Sequence, residues 1–160
     1  MKRFLVIALG ATVYGYFSIN ESQLQQPSPV NATENTARVS KVEVTGEPNN
    51  YTFAVTVSSP DTGCDRYADW WEIITPSGEL LYRRVLLHSH VDEQPFTRTG
   101  GTVAVQPQQK VIVRVHMNPD GYSPLALQGK VKDGFSEITL SNDFASSLAY
   151  AKPLPTNCAF

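Results

Sequence analysis

Charged residues are scarce in this chain. Asp, Glu, Lys and Arg make up 18% of its 160 residues, against about a quarter in an average soluble domain. The formal net charge is −2, and no run of basic residues follows Arg3. Because nucleic-acid-binding proteins need clustered lysine and arginine on one surface, we expect no nucleic-acid partner.

Catalytic sequence motifs are also missing. The chain has no Gly-x-Ser-x-Gly elbow, no phosphate-binding glycine loop and no His-Glu-x-x-His pair. Asp69 and Glu72 are three positions apart on a predicted strand, so they face opposite ways and cannot act together as an acid and a base. No catalytic residue is predicted, which favours a non-enzymatic protein over an enzyme.

Long apolar runs are confined to the N-terminus. An apolar stretch from Phe4 to Ile19 follows Lys2 and Arg3, and it is shorter than the ~20 residues of a membrane-spanning helix. This layout is typical of a secretory signal. We expect residues 1–19 to be a signal peptide or an uncleaved N-terminal anchor, which alone would contact a membrane. Both alternatives place the remainder in the periplasm or outside the cell.

Cysteine occurs twice, at Cys64 and Cys158. No cysteine stands at the end of the N-terminal apolar stretch, so we do not expect a lipid-anchored lipoprotein. An even pair in an oxidising compartment is usually bonded. We predict a Cys64–Cys158 disulfide that ties the Pro-rich C-terminal segment to the domain, the alternative being two separate buried thiols.

Residues 20–37 contain few large apolar side chains and are rich in Gln, Ser, Pro, Asn, Thr and Glu. Such a segment cannot bury enough surface to offset its ordering entropy. We interpret residues 20–37 as a flexible linker and residues 38–160 as the folded domain.

Alternation of apolar and polar residues dominates the folded domain. The inward positions of the predicted strands include Val42, Val44, Tyr51, Phe53, Val55, Val57, Val111, Val113 and Val115, with Ile112, Arg114 and His116 facing outward. Shorter strands are expected at 102–105, 125–131 and 138–140, a polar loop at 91–101 and a helical turn at 143–150. Short strands separated by turns predict an all-β, antiparallel, immunoglobulin- or fibronectin-like β-sandwich of about seven or eight strands.

A hairpin that contains both tryptophans lies at the centre of this pattern. The stretch 75–78 (Thr-Pro-Ser-Gly) predicts a type I turn closed by a glycine bulge. Pairing outward from that turn sets Trp71 opposite Arg83 and Trp70 opposite Arg84. The predicted core face holds Trp71, Ile73, Leu81, Val85 and Leu87, with Arg83 as its charge. The opposite face holds Trp70, Glu72, Tyr82, Arg84, His88 and His90.

Three histidines are candidate metal ligands. His88 and His90 are two positions apart and would point the same way from a strand, and His116 lies on a predicted outward face. Imidazoles that converge suit zinc or copper. The alternative is that these are polar residues beside a loop and that the protein has no cofactor.

An aromatic surface is the other candidate site. Trp70, Tyr82 and Arg84 share a predicted face and could bind a glycan or a protein partner through aromatic stacking. The alternative is that Arg84 covers Trp70 as a cation–π pair.

Residues 65–101 carry a resemblance to known sequences. The stretches 65–72 (Asp-Arg-Tyr-Ala-Asp-Trp-Trp-Glu) and 88–98 (His-Ser-His-Val-Asp-Glu-Gln-Pro-Phe-Thr-Arg) resemble uncharacterised secreted bacterial proteins. The resemblance implies an exported protein and no particular activity. We therefore expect an exported, non-enzymatic β-sandwich that acts as an accessory or interaction module; the alternatives are a metal-binding protein and a carbohydrate-binding module.

Overall fold

The computed structural model describes residues 35–159. The predicted signal or anchor (1–19) and most of the predicted linker (20–37) lie outside the described residues. The strands are β1 (Arg38–Glu47), β2 (Asn50–Ser58), β3 (Tyr67–Ile74), β4 (Leu80–Val85), β5 (Phe96–Val103), β6 (Val111–Asn118), β7 (Gly121–Tyr122), β8 (Leu125–Lys130) and β9 (Gly134–Thr139). A 3-10 helix, Ser146–Tyr150, follows in the region where a helical turn is predicted.

Two antiparallel sheets form the domain. The smaller sheet has the order β1-β2-β5, and the larger has the order β4-β3-β6-β8-β9, with β7 paired to β6. The chain crosses between the sheets after β2, β4 and β5, as in an immunoglobulin-like sandwich. The predicted antiparallel β-sandwich is confirmed, with nine strands in the described residues because β7 adds to the expected set.

The core lies between the two sheets and is centred on β2 and β6. Phe53, Val55 and Val57 of β2 are fully buried, as are Val111, Val113 and Val115 of β6. These are the positions that the period-2 alternation of the sequence predicts as inward. Trp71 and Ile73 of β3 complete the same cluster.

The prediction of a polar loop at 91–101 is wrong over its second half, which forms β5. Its inward positions are Phe96, Arg98, Gly100 and Val103, which pair with the inward residues of β2. A charged residue and a glycine at two of these positions hide the alternation. Position 100 requires a glycine because the side chains of Trp71 and Tyr82 pack over it. An added Cβ would lie 2.8 Å from the nearest atom of Trp71 and 2.7 Å from that of Tyr82.

The predicted pairing of the central hairpin is also wrong by one residue. Ile73 pairs with Tyr82 while Ile74 pairs with Leu80, so Leu81 forms a β-bulge. Trp71 therefore lies opposite Arg84, and Glu72 lies opposite Arg83.

The bulge changes which side chains of β4 share a face, because one extra residue reverses every later position. Tyr82 packs against Trp71, with ring centroids 5.6 Å apart, and Arg83 is buried on the opposite face. Leu87, which the sequence predicts as core, is 50% exposed. Leu81 and Val85 are half-buried.

The outer face of the larger sheet is covered rather than open to water. Ile74 and Ile112 are buried there against Leu140, Phe144 and Leu148. Phe144 and Leu148 belong to the C-terminal segment, which we define as residues 141–159. Between residues 35 and 159, no helix is long and apolar enough to span a bilayer.

Candidate functional site

A buried ionic trio lies on the outer face of the larger sheet, beneath the C-terminal segment. Glu72 of β3 pairs with Arg83 on one neighbouring strand and with Arg114 on the other. The distances are 2.6 Å from Arg83 Nη2 to Oε2 and 2.8 Å from Arg114 Nη2 to Oε1. All three side chains are 0–1% exposed. Each carboxylate oxygen is thus satisfied by a different arginine.

The two arginines use their remaining donors to hold the C-terminal segment. Arg83 donates to the carbonyl oxygens of Leu148 at 2.7 Å and Pro153 at 3.2 Å, and also to that of Ala151. Arg114 donates to the carbonyls of Phe144 and Ala145 at 2.7 Å and 3.0 Å. The segment is therefore attached to the sheet mainly through its backbone, and its side-chain sequence carries little sign of the contact.

Tyr122 packs on this trio. The Arg114 guanidinium lies 3.5 Å from the centre of its ring, and Arg83 Nη2 donates to its hydroxyl at 3.2 Å. Burial raises the pKa of Tyr122 to about 12; the charge of Glu72 adds to the rise and the two arginines oppose it.

Trp70 is enclosed on both faces of its ring. Arg83 lies 4.4 Å from the ring centre on one side, and the His116 imidazole stacks at 3.8 Å with an interplanar angle of 8°. Tyr82 packs on the inner face of the hairpin and Arg84 is exposed. The structure therefore does not bring Trp70, Tyr82 and Arg84 to one surface, and Arg83 takes the place predicted for Arg84 over Trp70.

A shallow, open cleft lies beside Trp70, between the neighbouring ends of β3 and β6 and the C-terminal segment. It has a volume of about 410 Å³ and is lined by Cys64, Tyr67, Asp69, Trp70, Asn118, Ala149, Leu154, Pro155, Thr156, Asn157 and Cys158. We call it the tail cleft. Asp69 accepts a 2.7 Å hydrogen bond at Oδ1 from His116 Nδ1. Burial, with the charge of Asp69 next, raises the pKa of Tyr67, so the Tyr67 hydroxyl is neutral at physiological pH.

The predicted disulfide closes one end of the tail cleft. Cys64 and Cys158 are bonded, with their Cα atoms 5.6 Å apart. Beyond the bond, the Ala159 amide donates to the carbonyl of Leu87 at 2.6 Å. The C-terminal segment is thus held covalently at one end and by arginines along its middle.

His88 and His90 lie together in the loop after β4. His90 is 3% exposed and stacks on Phe96 with ring centroids 3.6 Å apart. The ring of His88 lies 4.4 Å away. Burial, followed by the charges of Arg98 and His88, lowers the pKa of His90 to about 4, so His90 is neutral at pH 7.

His116 does not join the other two histidines. It is held by Asp69 and Trp70 on the outer face of the larger sheet. Over the part of the chain that the structure describes, no group of three or more His, Cys, Asp or Glu side chains is arranged to hold a metal ion. The predicted three-histidine set is therefore present as a pair and a separate residue.

The ionic trio is not predicted from the sequence. Arg83 and Arg114 each interrupt an apolar strand, and Glu72 stands between Trp71 and Ile73. Charges at such positions need partners, because an unpaired buried charge is costly. Two arginines and one glutamate within predicted strands were the available signal.

Comparisons with known proteins give a partial match. No protein-family model and no solved structure matches the chain. A protein of Halomicrobium mukohataei described as a "Putative lipoprotein" is 39% identical over 82 residues, or 51% of this chain. The chain covers 40% of that relative's length, and the description states no activity. The match fits the expected resemblance to exported proteins.

Proposed function

We propose that this protein is an exported, non-enzymatic binding module that recognises a basic segment of a protein partner in the tail cleft. Three observations support export: the disulfide, the basic and apolar N-terminal pattern, and the similarity to a protein described as a lipoprotein. The N-terminal segment would deliver the domain across a membrane or hold it there.

The geometry of the tail cleft carries the proposal. Its walls are fixed before any ligand arrives, by the Cys64–Cys158 bond at one end and by the hydrogen bonds of Arg83 to the backbone of the C-terminal segment. A preformed wall lowers the ordering cost of binding. Concave surfaces with a few placed polar groups are the usual form of a binding site.

The charge of Asp69 determines which kind of ligand the tail cleft can bind. Its Oδ1 is engaged by His116, and no hydrogen bond to its Oδ2 occurs among the described residues. Leu154 and Pro155 supply apolar surface beside it. A carboxylate flanked by apolar surface suits a lysine or arginine side chain, whose methylene stem packs while its charged end pairs.

Titration of the oxidised, ¹⁵N-labelled protein with tripeptides tests this proposal by NMR. Gly-Arg-Gly and Gly-Lys-Gly are the probes, and Gly-Glu-Gly is the matched peptide of opposite charge. The Trp70 indole N–H is the reporter, since Trp70 borders the cleft and its ring stacks on His116, which is hydrogen-bonded to Asp69. We expect shifts at Trp70, Asn118 and residues 154–157 with the two basic peptides and none with Gly-Glu-Gly.

Two aspartate variants make that experiment specific. Asp69→Asn keeps the shape and the His116 hydrogen bond but removes the charge, and it should abolish the shifts. Asp65→Asn removes a charge from an exposed neighbour of the cleft and should leave them unchanged. Equal responses to all three peptides, or equal losses in both variants, would refute recognition by Asp69.

A further inference from the structure

His90 is a buried polar side chain whose ring nitrogens make no hydrogen bond, although Asp61 Oδ2 lies 3.8 Å from its Nδ1. Neither Nδ1 nor Nε2 has a hydrogen-bond partner among the described residues, and the same holds for the neighbouring Ser89 Oγ. Leaving a buried donor or acceptor unpaired is energetically unfavourable. Buried polar groups are nearly always hydrogen-bonded. An imidazole left open in this way points to a ligand that the nitrogen atoms would bind.

The surroundings of His90 fix its position. Its ring lies parallel to Phe96, with an interplanar angle of 10°. Its backbone N–H donates to Asp61 Oδ2 at 2.8 Å, and its carbonyl accepts from Gln94 Nε2 at 3.1 Å. Asp61 in turn accepts from the Ala68 amide of β3 at 2.9 Å. The imidazole is therefore held rigidly against the sandwich.

A second imidazole, that of His88, lies close enough to bind a metal ion together with His90. The rings of His88 and His90 are 4.4 Å apart between centroids, with an interplanar angle of 43°. Imidazole nitrogens bind zinc at about 2.0–2.1 Å, so one nitrogen from each ring can contact a shared ion at this separation. Both residues line a cavity of about 270 Å³ with Ser89, Val91, Asp92 and Glu93.

We propose that His88 and His90 form a two-histidine chelating site for a late first-row transition metal ion, with Cu²⁺ bound more tightly than Zn²⁺. The order of affinity follows the general trend for nitrogen ligands. Glu93 is occupied by Arg98, with contacts of 2.6 Å and 3.1 Å, which leaves Asp92 and water to complete the coordination. His116 is not part of the site, because it lies on the outer face of the larger sheet and is hydrogen-bonded to Asp69.

This site is independent of the tail cleft. None of the residues that line the histidine cavity also lines the cleft, and the ligand classes differ. Failure of the peptide titration therefore leaves the metal proposal standing, and the converse also holds.

Calorimetric titration of untagged, oxidised protein with CuCl₂ and with ZnCl₂ tests the proposal. We expect one Cu²⁺ per chain and weaker Zn²⁺ binding. His88→Ala should weaken Cu²⁺ binding at least tenfold. It should not affect folding, because His88 is exposed. His116→Gln removes an imidazole elsewhere and should leave the affinity unchanged.

NMR locates the bound ion. Paramagnetic Cu²⁺ should broaden the amide signals of residues 88–93 and of Phe96 first, and this broadening should disappear in His88→Ala. Undiminished Cu²⁺ affinity in His88→Ala, or broadening that begins around His116 rather than around His88 and His90, would overturn the proposal. Weak binding at several places in every variant would identify adventitious binding and would overturn it equally.

Discussion

Arg83 donates two hydrogen bonds to one oxygen of Glu72, from Nε at 2.9 Å and from Nη2 at 2.6 Å. Both side chains are 0% exposed. Arg114 donates to the other carboxylate oxygen of Glu72. The single negative charge of Glu72 is therefore shared between two positively charged guanidinium groups. The C-terminal segment depends on this arrangement because its carbonyl oxygens accept from the same two guanidinium groups.

Glu72→Gln should destabilise the protein strongly. The substitution keeps the shape and removes the charge, which leaves two guanidinium groups buried without an anion. Breaking a buried ion pair in this way costs about 3–5 kcal/mol. Urea unfolding followed by tryptophan fluorescence measures the loss.

The control for this variant is Glu79→Gln, at an exposed position of the same hairpin. Surface substitutions of this kind change stability by less than about 0.5 kcal/mol. A loss below about 1 kcal/mol in Glu72→Gln would show that water reaches the trio.

Reduction of the disulfide should release only the end of the C-terminal segment. The bond closes a loop with a sequence separation of 94, and loop entropy assigns it about 4–5 kcal/mol. Residues 144–153 remain held by the two arginines, whereas 154–159 lose their covalent attachment. Proteinase K followed by mass spectrometry should therefore give cleavage within 154–159 in reduced protein and none there in oxidised protein. Cleavage throughout 141–159 after reduction would contradict the role given to the arginines.

Tyr122 should ionise at unusually high pH. Its pKa is about 12 in the folded protein and about 10 in the unfolded chain. Since the folded pKa is the higher one, the folded state is favoured by this group below pH 10, and that contribution is lost as the pH rises through 12. Absorbance at 295 nm should show one tyrosine with a midpoint near pH 12 that disappears in Tyr122→Phe. A titration identical in the two proteins would show that Tyr122 is not shielded.

Gly100→Ala should lower stability by about 1–3 kcal/mol through overpacking. The new Cβ would lie 2.7 Å from Tyr82 Oη and 2.8 Å from Trp71 Cη2. A double-mutant cycle with Tyr82→Leu identifies the clash, because a smaller partner leaves room for the methyl group. The double variant should lose less stability than the sum of the single losses; simple additivity would mean that the backbone of β5 moves instead.

The fold class could be predicted because β2 and β6 each turn one apolar face inward. In Tyr51, Phe53, Val55 and Val57 the alternation is uninterrupted, so the sequence alone places them in the core. Strand β5 could not be recognised in this way, since Arg98 and Gly100 occupy its inward positions. Whether an arginine and a glycine fit at inward positions depends on the neighbouring strands, which the local sequence does not show.

The predicted faces of β4 beyond Leu81 are wrong for a related reason. A bulge of one residue at Leu81 reverses every later position of β4, and nothing in the turn sequence announces it. The covering of the outer face is not predicted either, although two apolar residues on that face, Ile74 and Ile112, indicate that it is buried. An antiparallel sheet often leaves one face in water, and the C-terminal segment covers this one with two large apolar side chains, Phe144 and Leu148.

Of the candidate sites, the sequence identified the His88–His90 pair, which is local in the chain, and the Cys64–Cys158 disulfide. It did not identify the Asp69–His116 pair or the ionic trio, because these join residues from different strands. Their pairing follows from the strand order and the bulge, which only the structure supplies.

The position of the C-terminal segment has a consequence for the order of events during synthesis. Glu72, Arg83 and Arg114 leave the ribosome before residues 144–153, whose carbonyls complete their hydrogen bonds. Until that stretch arrives, one face of the larger sheet presents charged groups to water, and its apolar residues have no cover. The sheet can reach its final packing only after residues 144–153 have been made, and the bond between Cys64 and Cys158 can form only later still.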